Sequence, residues 1–189
     1  VGRAGGRVLV ATAEESPHQV QMRAKRVGLA SESVDVASVA DVDDIISLAS
    51  DRQPALLVVD SIQTVSSGDI AGSAGGVAQV RESAARLISH AKASGIPVFL
   101  VGHVTKDGSI AGPRTLEHMV DGVLYLEGEN EQGLRFLRGM KNRYGSVNEI
   151  GVFAMTSQGL DEVRDPSGVL TSGRDDSAAA FGLGGASGS

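Results

Sequence analysis

The chain has 189 residues, room for one α/β domain and a tail, and sets 17 lysines and arginines against 23 aspartates and glutamates. The formal charge of -6 excludes bulk electrostatic attraction to nucleic acid and leaves only a local basic loop for such contact. There is no cysteine, and none of the four histidines sits in a His-Glu-x-x-His pattern, which excludes a disulfide framework and thiolate zinc; metal chemistry is expected to rest on carboxylates and magnesium.

No apolar run approaches the length of a membrane span and no charged-then-apolar leader is visible, so a cytoplasmic location is expected. The chain opens on Val1, in what reads as a helix end running to Gly6, as a piece cut from a longer protein would. Arg7 to Thr12 is a short apolar run, after which Ser16-Pro17 supplies an N-cap with proline at the first helical position. That helix is expected to run to Val27 and stop at Gly28. Val34 to Val36 reads as a strand, and Asp41 caps a helix with Val42, Ile45, Ile46 and Ala49 on one face. Pro54 precedes the unbroken run Ala55 to Val59, which reads as a strand buried on both faces. Val77, Val80, Ala84, Leu87, Ile88 and Ala91 recur at helical spacing until Gly95-Ile96-Pro97 opens another buried strand, Val98 to His103. Strand and helix alternate throughout, the pattern of a doubly wound, mostly parallel sheet with helices on both faces.

After Val120 the character changes. Val123 to Leu126, Leu134 to Met140 and Glu149 to Met155 are short runs between turn-rich segments, which predicts an antiparallel β meander closing the sheet. Residues 1–164 are therefore read as one folded core. From Asp165 to Ser189 serine, glycine, alanine and aspartate dominate, with too little apolar surface to offset ordering entropy, so 165–189 reads as a flexible linker.

Candidate site residues cluster at strand ends. Asp60 ends a buried strand at the edge where α/β sheets bind ligands, a place from which it can serve Mg²⁺; capping of the next turn is the alternative. Glu14-Glu15 lies just past another strand end, placed to orient or deprotonate a water, or else as a solvated pair. His103 ends a third strand, as a catalyst or as a hydrogen-bonded structural residue. Thr105 to Arg114 is broken by Gly108 and Gly112-Pro113 and made locally basic by Lys106 and Arg114, a DNA-contacting loop or an ordinary connector. Lys141 and Arg143 share one side of a pleat, which suits a polyphosphate, although a solvated strand end has the same pattern. The chain contains no Gly-Lys dipeptide, so the phosphate loop Gly-x-x-x-x-Gly-Lys-Ser/Thr cannot be built from it.

In order, Ala13-Glu14-Glu15-Ser16, Leu57-Val58-Val59-Asp60-Ser61-Ile62-Gln63-Thr64, Gln79-Val80-Arg81-Glu82, Val101-Gly102-His103-Val104-Thr105-Lys106, Ile110-Ala111-Gly112-Pro113, Leu116-Glu117-His118-Met119-Val120-Asp121 and Lys141-Asn142-Arg143-Tyr144-Gly145 resemble the bacterial RadA (Sms) family of DNA repair proteins. The resemblance covers roughly Gly6 to Val163, with Tyr144 standing where phenylalanine is commoner. It implies a RecA-like P-loop ATPase core that uses ATP and Mg²⁺ and drives branch migration of recombination intermediates on single-stranded DNA. It further implies a homo-oligomeric ring, a hexamer, that works with the RecA recombinase.

By that resemblance Glu14 polarises the attacking water, Asp60 is the Walker B aspartate, and His103 senses the γ-phosphate. Lys106 to Arg114 contacts DNA, and Lys141 and Arg143 reach a neighbouring subunit's nucleotide. The family's four-cysteine zinc module, phosphate loop and Lon-protease-like domain have no counterpart in the sequence, so no zinc is expected. In the family's architecture the strand leading into the phosphate loop lies between the strand ending at His103 and that around Val123 to Leu126. Without it a gap in the sheet, or direct pairing of those two strands, is expected, and with it a marginally folded or aggregation-prone isolated chain. A non-catalytic domain that binds DNA or partner subunits without hydrolysing ATP is the other function class these residues allow.

Overall fold

The computed structural model describes residues 5–28, 33–103, 116–129 and 133–165. The amino-terminal part is a run of βα units: β1 (Val8–Thr12), α1 (Pro17–Arg26), β2 (Val34–Ser38), α2 (Val42–Arg52), β3 (Leu56–Asp60), a 3-10 turn (Ile62–Thr64), α3 (Val77–Ser94) and β4 (Val98–Val101). The four strands form one parallel sheet in the order β2-β1-β3-β4.

The helix starts follow from their caps. Ser16 and Gln19 form a reciprocal capping box with Pro17 just inside it. Asp41 accepts from the Asp43 amide at 2.8 Å, with Asp43 and Asp44 in the first turn of α2 and Arg52 in the last, charges that complement the helix dipole. At the other end of α3, Gly95 takes the left-handed conformation at φ 75°, which releases the chain toward β4. The β1–α1–β2 connection steps one way across the sheet and the next two crossovers step the other way. Right-handed crossovers therefore place α1 on one face and α2 and α3 together on the opposite face.

The core lies on the α2–α3 side. Leu9 and Ala11 of β1 stand in register with Leu57 and Val59 of β3, and all four are buried against Val42, Ile45 and Ala49 of α2 and Val80, Ala84 and Leu87 of α3. Leu57 is 0% exposed on a strand paired on both sides. Leu57→Ala is expected to lower unfolding stability by about 2–5 kcal/mol, the cost of a buried leucine truncation with a residual cavity. Urea denaturation at an unchanged m-value measures it; a loss below about 1 kcal/mol would show that the site collapses onto the space.

Two expectations from the sequence need correction. The runs at β3 and β4 suggest burial on both faces, but Leu56 and Val58 are only part-buried, Phe99 is 59% exposed and Val101 36%. β4 is an edge strand, and α1, with no buried residue of its own, lies along β2 rather than over β4. The meander forms a sheet of its own instead of closing the parallel one: β5 (Gly122–Glu129), β6 (Leu134–Asn142), β7 (Ile150–Thr156) and an unforeseen fourth strand, β8 (Gly159–Glu162), in sequential order. β4 is the last strand of the described parallel sheet, and β5 is the first of the antiparallel one.

The described residues fall into two compact units. One holds the parallel sheet, its helices and the segments up to Val123 and Lys141–Tyr144; the other holds Leu124–Met140 and the residues from Gly145 onward. The second unit leaves Leu124, Leu126, Met140, Ile150 and Met155 each more than half exposed. The proposed linker from Asp165 lies, after its first residue, outside the described residues. No helix among the described residues is long and apolar enough to cross a membrane.

Candidate active site

Three parallel strands run side by side and end together. In their registers Thr12 of β1 lies beside Asp60 of β3, and Asp60 beside Val101 of β4. Two residues beyond Thr12 comes Glu14, and two beyond Val101 comes His103, so the ladder itself delivers Glu14, Asp60 and His103 to one spot on the carboxyl edge of the sheet. This is the edge where open α/β sheets bind ligands. A carboxylate oxygen from each acid and a ring nitrogen of His103 all lie within 4.8 Å of one another.

The local contacts give each residue a distinct position. Thr12 is buried, and its Oγ1 accepts from the amides of Glu14 and Glu15 at 3.3 and 3.4 Å, turning the chain at the strand end. Glu15 pairs with Arg23 on α1 and so faces away from the cluster; of the acidic doublet only Glu14 belongs to the site. Glu14 Oε1 accepts a hydrogen bond from Ser61 Oγ, and His103 Nε2 lies 3.2 Å from both Glu14 carboxylate oxygens. Gln63 Nε2 donates to the His103 carbonyl at 3.2 Å, tying the exit of β4 to the turn that follows Asp60. The Asp60–Ser61 peptide is cis.

The hydrogen bond from Ser61 is the largest influence on Glu14 and lowers its pKa; partial burial pushes back, and His103 lowers it again through hydrogen bonding and charge. Glu14 is therefore ionised at neutral pH. Because its folded pKa is lowered, the stabilisation it contributes is present above the ordinary carboxylate range and is lost as pH falls through the folded value. Ser61 and His103 both address the Glu14 carboxylate, not each other, so the cluster is not a serine–histidine nucleophile pair. An ionised, partly exposed carboxylate beside a second acid and an imidazole is suited to proton transfer from water and to holding a hard cation. The oxygen donors of Glu14 and Asp60 fit magnesium.

The remaining candidates are placed elsewhere or lie beyond description. Lys141, on β6, donates from Nζ to the Glu117 carbonyl at 2.7 Å. Arg143, just past the end of β6, is held twice by Asp121: its amide donates to the Asp121 carbonyl at 2.9 Å, and Nη1 lies 2.6 Å from Oδ1. Both cations are thus gathered on the segment 117–121, although Arg143 lies in the turn beyond β6 and not on its pleat, and their described contacts do not reach Glu14, Asp60 or His103. Lys106 and Arg114 lie outside the described residues.

Sequence reasoning misses Ser61, Gln63 and Asp121. Ser61 carries a usable signal, a small hydroxyl directly after the strand-end aspartate; the other two contacts join segments 40 and 22 residues apart and leave no local trace.

A family model for an AAA domain matches residues 1–109, more than half of the chain. The chain belongs to that AAA domain family. Within it, the chain is similar to "DNA repair protein RadA" of Pseudomonas aeruginosa, 54% identical over 162 residues, which is 86% of this chain and 36% of that protein. The RadA of Bacillus subtilis is 52% identical over 163 residues, again 86% and 36%, and that of Escherichia coli 48% over 170 residues, 90% and 37%. The resemblance read from the seven strings thus extends over most of the chain. The chain spans little more than a third of the length of the curated RadA proteins it matches. A four-stranded parallel sheet with an antiparallel sheet after it is the α/β arrangement of a RecA-like ATPase core.

Proposed function

We propose that the chain carries the hydrolytic face of a DNA-dependent ATPase of recombinational repair, one that drives branch migration of recombination intermediates along single-stranded DNA. The observation that carries this reading is the convergence of Glu14, Asp60 and His103 at the ends of three adjacent parallel strands. In this reading Glu14 takes a proton from the attacking water at its ionised carboxylate. Asp60 is the residue that holds Mg²⁺, which when bound with ATP neutralises charge on the phosphates. His103, held in place through its carbonyl by Gln63, addresses the terminal phosphate. Lys141 and Arg143 serve the nucleotide of a neighbouring subunit in a ring, and Lys106 and Arg114 contact single-stranded DNA. The RecA recombinase is the partner implied by the family.

Positioning of the phosphates supplies much of the rate in phosphoryl transfer, and this sequence has no Gly-Lys loop with which to do it. The purified 189-residue chain is therefore expected to show no ATP turnover with or without single-stranded DNA, whereas the full-length gene product hydrolyses ATP and loses activity on Asp60→Ala. A DNA-stimulated rate in the 189-residue chain that Asp60→Ala abolishes would overturn the division of labour. A full-length product with no DNA-stimulated hydrolysis would overturn the enzymatic reading itself.

DNA contact by the basic loop has its own test. In the full-length gene product, Lys106→Ala with Arg114→Ala is expected to weaken single-stranded DNA binding and to flatten the slope of log affinity against log salt by about 0.7 per lost phosphate contact. Unchanged affinity and slope would make the loop a connector.

A further inference from the structure

The geometry points to Glu14, Asp60 and His103 as a direct, nucleotide-independent binding site for a divalent cation of borderline hardness, such as Co²⁺ or Mn²⁺, with His103 Nε2 as a true ligand. The ATPase reading gives the imidazole no metal to bind and asks of Asp60 only that it serve Mg²⁺ together with ATP. The side-chain positions support more. Neighbouring ligands around a first-row cation, each about 2.1 Å from the metal, sit about 3 Å from one another. His103 Nε2 lies 3.2 Å from both Glu14 oxygens, the spacing of two adjacent coordination positions. All three ligand atoms fall within 4.8 Å, so small side-chain rotations close the set on one ion.

The Asp60 carboxylate, part-buried at the end of β3, makes no hydrogen bond to any other described residue, although it sits beside the Glu14–His103 pair. A cation shared among the three satisfies it. The backbone roots are fixed by two parallel ladders, and the supports around the ligands are in place: Ser61 donates to Glu14 Oε1, and Gln63 holds the His103 carbonyl. Glu14 and His103 are 35% and 60% exposed in their side chains, so water can complete the coordination sphere. Two carboxylates alone favour magnesium or manganese; the added imidazole moves preference along the series toward Co²⁺ and Zn²⁺. Among the described residues this is the one group of three such ligands, and the absence of cysteine removes a competing thiolate site.

The site is tested on the 189-residue chain by titration with Co²⁺ and, separately, Mg²⁺, following heat and, for cobalt, visible absorption from nitrogen–oxygen coordination. One Co²⁺ per chain is expected, bound at least tenfold more tightly than Mg²⁺. His103→Gln should weaken Co²⁺ by tenfold or more and leave Mg²⁺ affinity within twofold, while Asp60→Asn weakens both. Far-UV circular dichroism of each variant separates loss of a ligand from loss of the fold, and His118→Gln controls for adventitious imidazole binding. Equal Co²⁺ affinity in His103→Gln and the unaltered chain, or Co²⁺ binding no tighter than Mg²⁺, overturns the site. Either result leaves the ATPase reading untouched, because that reading is tested by hydrolysis in the full-length product and needs no metal–imidazole bond.

Discussion

Arg143→Ala in the full-length gene product is expected to reduce ATP turnover about a thousandfold or more, the usual consequence of losing a cation supplied across a subunit interface to a phosphoryl-transfer site. The proposed action in trans is what this experiment tests: within their own chain Arg143 and Lys141 are both drawn onto the segment 117–121, with no described contact to the Glu14–Asp60–His103 cluster. Mixing Arg143→Ala subunits with Asp60→Ala subunits distinguishes the alternatives. Each inactive parent supplies what the other lacks at one kind of interface, so mixed assemblies should recover measurable hydrolysis. If subunits exchange freely and no activity returns, Arg143 acts within its own chain or only as structure.

Glu14→Gln in the same protein should lower turnover by about 10²–10⁴-fold, the range for a lost general base, while nucleotide affinity changes little. Gln retains the hydrogen bond from Ser61 but cannot accept the proton. Ser61→Ala gives a milder and more diagnostic result. The Ser61 hydroxyl is the main reason the Glu14 pKa is lowered, so its removal raises that pKa toward the ordinary carboxylate value. The acid limb of the pH–turnover profile then moves to higher pH, with the plateau near neutrality largely kept. An acid limb that stays in place in Ser61→Ala would mean that the Glu14 carboxylate does not govern it.

Much of this fold can be read locally because its signals are local. Ser16-Pro17 and Asp41 set helix starts through their own neighbours, and Asp60 and His103 announce themselves as polar residues ending apolar runs. What escapes sequence reading depends on partners distant in the chain. Phe99 belongs to an apolar run no different from that of β3, yet it is exposed because β4 lies at an edge; burial here is decided by sheet order, not by hydropathy. Gln79 is absent from the apolar face read for α3, yet it is 2% exposed, accepts from the Ser67 amide and donates to the carbonyls of Ser67, Ile70 and Gly72. Helical periodicity cannot foresee a polar side chain that satisfies a loop's backbone, since buried amides need partners wherever the loop passes. The fourth strand of the meander is similarly hidden, its Gly159–Glu162 run being short and largely polar.

The twofold hold of Asp121 on Arg143 has unequal halves. The amide-to-carbonyl bond fixes the root of the side chain, whereas the ion pair joins groups 54% and 50% exposed, a contact worth about 0–1 kcal/mol. The guanidinium is thus parked and not locked. It can trade one anion for another by rotamer change, on the picosecond-to-nanosecond scale of exposed side chains, with the backbone at rest. In the proposed role of Arg143 at a nucleotide, a polyphosphate has only a surface carboxylate to displace, and on its departure the same carboxylate gives the arginine a defined place to return to.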